Sequence, residues 1–175
     1  MIEKLIQDHL FLATKLDLQA IEQAAKLLIE TLRNGNTIYI AGNGGSASDA
    51  QHFTAELVGR FNKERSPYSA VCLNADTSVI TAIANDYGYD QIFKRQLHGL
   101  ACMGDIFIGI TTSGQSKNVL NAIELANING LKTICLTGEK PTEAKLNICV
   151  PSNNTARIQE MHILIIHILC QLIEE

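Results

Sequence analysis

His52 and Glu56 stand four residues apart, just after a glycine-rich turn, Gly42-Asn43-Gly44-Gly45-Ser46. On a helix that spacing puts both side chains on one face. The apolar run Thr37-Ile38-Tyr39-Ile40-Ala41 leads into the glycines and reads as a short buried strand, and Ser46 opens a helical pattern. Such a strand–turn–helix junction presents unpaired backbone N–H groups and the positive end of a helix dipole, a setting for an anion such as phosphate. Taken alone, an i, i+4 His/Glu pair is an ordinary surface pair worth a few tenths of a kcal/mol. Beside an anion cradle it becomes a candidate for acid–base work.

A second loop carries hydroxyls: Thr111-Thr112-Ser113-Gly114-Gln115-Ser116, between an apolar run and a helical pattern. Four hydroxyls plus helix N–H groups can hold a phosphate without a lysine. The plainer reading makes Ser116 an N-cap and Ser113-Gly114 a turn. In an open parallel sheet, ligands sit outside the carboxyl ends of the strands where the strand order reverses. If the first and third strands flank that point, both loops face one crevice. The glycine turn lacks the G-x-G-x-x-G spacing, the acidic residue after the second strand and the Walker lysine, so the pattern points to a small phosphorylated ligand instead of a nucleotide. Farther on, Gln159 and His167 lie eight residues apart, about 80° round a helix, and can flank one pocket. His162 points elsewhere and reads as structural. His52, Glu56, Gln159 and His167 could together hold a divalent metal, although Gln is an uncommon zinc ligand.

The elements that must position these groups alternate. Residues 1–34 are helical in pattern, with Asp17 a possible cap after a break near Thr14–Leu16, and form an arm ahead of the first strand. Strands are expected at about Thr37–Ala41, Ser69–Leu73, Asp105–Ile110, Leu131–Thr137 and Leu146–Val150, with helices between them and a last helix from Thr155 nearly to Glu175. Asp86–Asp90 reads as a turn. Unbroken apolar strands alternating with helices argue for one α/β domain over residues 1–175, with a parallel sheet in a 37–175 core. The last helix is apolar almost all round and needs cover on every side. A neighbouring subunit is the expected second cover, so the chain should oligomerise.

The bulk composition narrows the classes. A net charge of −4 offers no electrostatic reason to expect nucleic acid. The 5 cysteines are scattered without a CxxC, as for reduced thiols of a cytoplasmic protein. No leader is visible in the first residues, and no uninterrupted apolar run is long enough to span a membrane.

The segments Gly42–Ser46, Asp49-Ala50-Gln51-His52-Phe53, Glu56-Leu57, Gly59-Arg60, Asn85-Asp86-Tyr87-Gly88, Thr112-Ser113-Gly114 with Ser116, and Arg157-Ile158-Gln159-Glu160 with His162 and His167 resemble those of the phosphoheptose isomerases. These are sugar-isomerase (SIS) domain enzymes that convert D-sedoheptulose 7-phosphate to D-glycero-D-manno-heptose 7-phosphate, the first step towards nucleotide-activated heptose. The resemblance covers nearly the whole chain. It implies a five-stranded parallel sheet between helices, a homotetramer, and active sites built between subunits. It further implies that Asn43, Gly44, Gly45 and Ser46 line the substrate pocket, that Thr111, Thr112, Ser113 and Ser116 hold the phosphate, and that Asn85 and Asp86 contact the sugar. His52, Glu56, Gln159 and His167 would bind one zinc. Glu56 and Gln159 would also touch substrate, and Glu56 and His167 would be the acid–base pair. The family usually has Ser where this chain has Thr111, which keeps the hydroxyl, and Asn where it has Gln115.

The implied reaction is an aldose–ketose shift through an enediol(ate), with Glu56 as base and His167 as acid. A zinc ligand is not free to move protons, so either the metal moves, a ligand detaches, or the two roles belong to different states. A rival from another class also fits the fold: some relatives are non-catalytic SIS tetramers, one of which assists a bacterial replication initiator. A scaffold has no physical need for Glu56, His167, His52 and Gln159 at one pocket.

Overall fold

The computed structural model describes all residues from Met1 to Glu175. Two helices come first, α1 (Ile2–Ala13) and α2 (Leu18–Arg33), then β1 (Ile38–Gly42), α3 (Gly45–Val58), β2 (Ala70–Cys72), α4 (Thr77–Tyr87), a 3-10 turn at Tyr89–Gln91 and α5 (Ile92–Leu100). The chain continues through β3 (Ile106–Thr111), α6 (Lys117–Ile128), β4 (Lys132–Thr137), β5 (Leu146–Cys149) and α7 (Thr155–Glu174). The strands form one sheet in the order β2-β1-β3-β4-β5, every neighbouring pair parallel. The order therefore reverses between β1 and β3, the one place where consecutive chain segments depart to opposite sides of the sheet.

Side-chain alternation divides the core into two layers. Ile38, Ile40, Ile106, Ile108, Ile110, Ile134 and Leu136 point to the face covered by α1, α2, α3 and α7. Tyr39, Ala41, Phe107 and Cys135 point to the other, against α5 and α6. Both faces are dry, so the strands carry no polar alternation and read as continuous apolar runs.

The N-terminal arm is not separate from the domain. Ala24 and Leu28 of α2 are fully buried in the same layer as α3 and α7. α7 is long and apolar enough to cross a bilayer by length and composition, yet here it is a core helix, with Ile158, Met161, Ile165, Ile166 and Leu169 buried. Its own chain buries one side, with Ile163, Leu164, Ile168 and Leu172 only partly covered on the other. More open apolar surface lies on α1, where Ile2, Ile6, Leu10 and Phe11 are each more than half exposed.

One boundary differs from the sequence reading. Asp86 and Tyr87 continue α4, because the stop signal is Gly88, which adopts φ 94°. The Arg95 guanidinium lies 3.6 Å over the Tyr87 ring and holds that last turn.

His162, as expected, is structural. It is fully buried, and Nε2 donates to the Thr137 carbonyl at 3.2 Å. Burial pushes its imidazole down to about 4, against a smaller opposing effect of that carbonyl. The unfolded chain therefore takes up a proton below about pH 6.5 that the folded chain refuses until about pH 4. Stability must fall as pH falls through that window, by up to about 3 kcal/mol. Thermal midpoints measured between pH 7 and 4.5 should show the decline, and His162→Gln should flatten it.

Candidate active site

Both loops open at the carboxyl ends of β1 and β3, which are paired in register from Ile38–Ile106 to Gly42–Ile110. The first loop turns tightly: a Cβ on Gly42 would stand 2.6 Å from the Ser46 carbonyl oxygen. Asn74 clamps that turn, accepting from the Gly42 N–H at 3.1 Å and donating to the Gly42 carbonyl at 2.9 Å. Gly44 has φ 57° and ψ −122°, backbone that only glycine adopts without strain. Asn43 exchanges two amide hydrogen bonds of 2.8 Å with Asn118, which is buried in the first turn of α6. Asn43 Oδ1 also accepts from the Tyr89 hydroxyl at 3.1 Å. The first loop is thereby tied to the helix that follows the second.

In the second loop the hydroxyls turn on each other. Thr111 Oγ1 lies 2.9 Å from Ser116 Oγ and 3.4 Å from Ser113 Oγ, and Ser113 Oγ accepts from the Gln115 N–H at 3.1 Å. Gly114 adopts φ 65° beneath the Lys140 carbonyl, where a Cβ would come within 2.5 Å. A wholly polar hollow of about 210 Å³ opens here, lined by Thr112, Ser113, Gln115, Ser152 and Asn153 among others. Glu139 and Lys140 also line it, a carboxylate and a cation that the loop pattern did not include.

The helix termini differ in a way that matters for anions. Asp17, Asp76 and Asn154 cap α2, α4 and α7 through their side chains. α3 and α6, like α1 and α5, have no such cap: Gly44 has no side chain, and the Ser116 hydroxyl engages Thr111 instead. Ser116 does stand at the N-cap of α6, as the plainer reading has it, but its hydroxyl caps no N–H group. The first N–H groups, of Gly45 in α3 and of Lys117 and Asn118 in α6, remain open to a ligand, whereas the Ser46 and Ala47 N–H groups bond back to the Asn43 and Gly44 carbonyls and the Val119 N–H to Asn118 Oδ1.

α3 and α7 pack side by side and carry the ionisable groups. His52 Nε2 and Glu56 Oε1 are 3.0 Å apart, with the Glu56 side chain 23% exposed. The His167 ring from α7 meets the His52 ring edge-on at 5.1 Å between centroids. Glu56, His52 and His167 therefore come together within a single chain. Gln159 lies about two turns nearer the loops than His167: a Cβ on Gly45 would stand 2.5 Å from its Nε2. No three His, Cys, Asp or Glu side chains enclose a ready cation position in this arrangement. Asn85 and Asp86 sit exposed at the end of α4, hydrogen-bonded to each other at 2.8 Å and to neither loop.

Several residues of the site are given no role by the sequence reading. Asn118 and Tyr89 are two. Asp49 is a third, one turn before His52 on α3; its Oδ2 is buried without a partner, and desolvation pushes its carboxyl up to about 6 against the opposing influence of His52. Phe61 is a fourth, its ring 5.6 Å from that of His167. Asp49 alone had a sequence signal, as a polar position on the His52 face.

A family model for the SIS domain matches residues 6–138. The chain is 54% identical over 160 residues to a phosphoheptose isomerase of Aliarcobacter butzleri, covering 89% of this chain and 85% of that one. It is 53% identical over 186 residues to a phosphoheptose isomerase of Helicobacter pylori strain P12, covering 99% and 96%. Among solved structures, the phosphoheptose isomerase GmhA of Neisseria gonorrhoeae superposes with a TM-score of 0.91 at 39% identity, over 99% of this chain and 96% of that one.

Proposed function

This chain belongs to the phosphoheptose isomerases of the SIS-domain family, and from that membership we propose how its residues divide the work. The reaction is the aldose–ketose isomerisation of D-sedoheptulose 7-phosphate to D-glycero-D-manno-heptose 7-phosphate. The observation that carries the assignment is that the N-termini of α3 and α6, both without side-chain caps, meet at the strand-order reversal, while farther along α3 and α7 Glu56, His52 and His167 come together. The scaffold alternative has no comparable support: its relatives over nearly full length are named isomerases.

The phosphate sits on the Thr111–Ser116 loop, held by Thr111, Thr112, Ser113 and Ser116 and by the first N–H groups of α6. Asn43, Gly44, Gly45 and Ser46 line the sugar's path, with Gln159 beside Gly45. Glu56 takes a proton from the carbon next to the carbonyl and returns it to the neighbouring carbon. His167 moves the proton between the two oxygens. Atoms balance without a co-reactant. Asn85 and Asp86 complete the sugar site only if the substrate or a neighbouring subunit bridges to them, in keeping with an active site shared between chains.

One zinc ion belongs to this reading, with His52, Glu56, Gln159 and His167 as its ligands in a state distinct from the one in which Glu56 and His167 move protons. Two imidazoles, a carboxylate and a carboxamide suit the ion, and His52, Glu56 and His167 already adjoin. When bound, the ion supplies a Lewis acid to a substrate oxygen. Elemental analysis should find about one zinc per chain, and His52→Ala should lower that content and the thermal midpoint together. A metal-free protein with an unchanged midpoint after chelation would remove zinc from the proposal.

The tetramer rests on α1, whose open apolar side matches a buried interface better than a wetted one. Light scattering should return about four times the chain mass, and Leu10→Glu should lower it. The free thiols of all five cysteines accord with a reducing cytoplasm.

A further inference from the structure

We propose that Glu174 and Arg65, far from the loops, position the acid–base pair. This rests on the roles given above to Glu56 and His167.

Glu174 ends α7 with its side chain only 1% exposed. It is not an idle buried carboxylate. Oε1 accepts from the Phe61 N–H at 3.0 Å and from Arg65 Nε at 3.0 Å. Oε2 accepts from the N–H groups of Asn62 and Lys63, both at 2.8 Å. Desolvation would raise its carboxyl; these amides and the guanidinium outweigh it and hold the group down to about 2. One carboxylate thus pins the segment that follows α3 at three consecutive amides.

That segment carries two side chains that reach the site. Phe61 lays its ring beside that of His167, 5.6 Å between centroids. Arg65 turns back onto α3, where Nη2 donates to the Glu56 carbonyl at 2.7 Å and Nη1 to the Leu57 carbonyl at 2.9 Å. These are among the last carbonyls of α3, which have no partner in their own helix. Arg65 is itself held flat by Glu174 and by the Tyr68 ring, 3.9 Å away. Glu174 therefore governs the backbone beneath Glu56 through Arg65, and the face of His167 through Phe61. It also links the ends of the two helices that present those groups. Neither residue touches the phosphate loops, which lie at the opposite ends of α3 and α7.

This location separates a positioning role from general support. A misplacement of about 1 Å at a reacting group costs up to about 100-fold in rate, while the phosphate site stays intact. Arg65→Ala and Glu174→Gln should each lower kcat by roughly 10-fold or more and leave KM within about twofold. Free guanidinium at millimolar concentration should restore part of the kcat of Arg65→Ala and do nothing for the wild type. Phe61→Leu, which leaves the clamp in place, should lower kcat alone. The proposal is overturned if the folded variants keep wild-type kcat, or if KM rises as much as kcat falls with no rescue. Should Arg65→Ala and Glu174→Gln fail to fold, a wild-type kcat in Phe61→Leu overturns it. Glu56→Gln, assayed in parallel, distinguishes the two levels. If it turns over normally, the assignment of the base has failed; if it is inactive while the clamp variants are normal, only the positioning role has failed.

Discussion

Glu56→Gln loses turnover by roughly 1,000-fold, within the range that a positioned general base contributes, and still binds D-sedoheptulose 7-phosphate. Glutamine has the same shape, so α3 is undisturbed and its amide can keep the contact that Glu56 Oε1 makes with His52 at 3.0 Å. What it lacks is a lone pair basic enough to take a carbon-bound proton. The carboxylate is partly exposed, outside either apolar layer, so the thermal midpoint should move by only a few degrees. Turnover is followed by formation of the aldose phosphate, binding by calorimetry, and zinc content in the same preparation. An inactive variant that retains zinc assigns the loss to proton transfer. Activity within tenfold of wild type would refute Glu56 as the base.

Ser116→Asp should raise KM by about 100-fold or more with a normal fold. Aspartate is as good an N-cap as serine, and a carboxylate is favourable at the positive end of α6. The fold therefore accepts the change. A phosphate does not, because like charges about 4 Å apart repel by about 4 kcal/mol at the effective dielectric of a protein surface. Ser116→Ala separates the two effects: it removes the hydroxyl bonded to Thr111 at 2.9 Å and should raise KM by roughly tenfold, the weight of one hydrogen bond to a charged group. Steady-state kinetics against sugar phosphate measures both. A Ser116→Asp protein with unaltered KM would move the phosphate off this loop.

Much of the local structure was legible in advance. The strands emerged within a residue or two because a parallel sheet covered on both faces leaves no polar interruption. The glycine turn was legible because only glycine tolerates the backbone at Gly44 and the crowding at Gly42. His52 and Glu56 paired as expected because both sit on one helix, where spacing fixes direction. The end of α4 was misread because Asn-Asp-Tyr-Gly-Tyr-Asp has the composition of a turn. Its stop lies at Gly88, and Arg95 from the next helix secures the turn before it.

Spacing along the chain determined which groups share a helix face, where the backbone must bend, and that an anion would meet helix N-termini. Each of these depends on a few consecutive residues. Only the tertiary structure decided what lies across from them. Asn43 meets Asn118, His52 meets His167, and Glu174 holds Arg65 more than a hundred residues away. Those meetings follow from the strand order β2-β1-β3-β4-β5 and from α3 lying beside α7. Order and packing are settled by burial of the whole sheet at once, and no local pattern of residues carries that information.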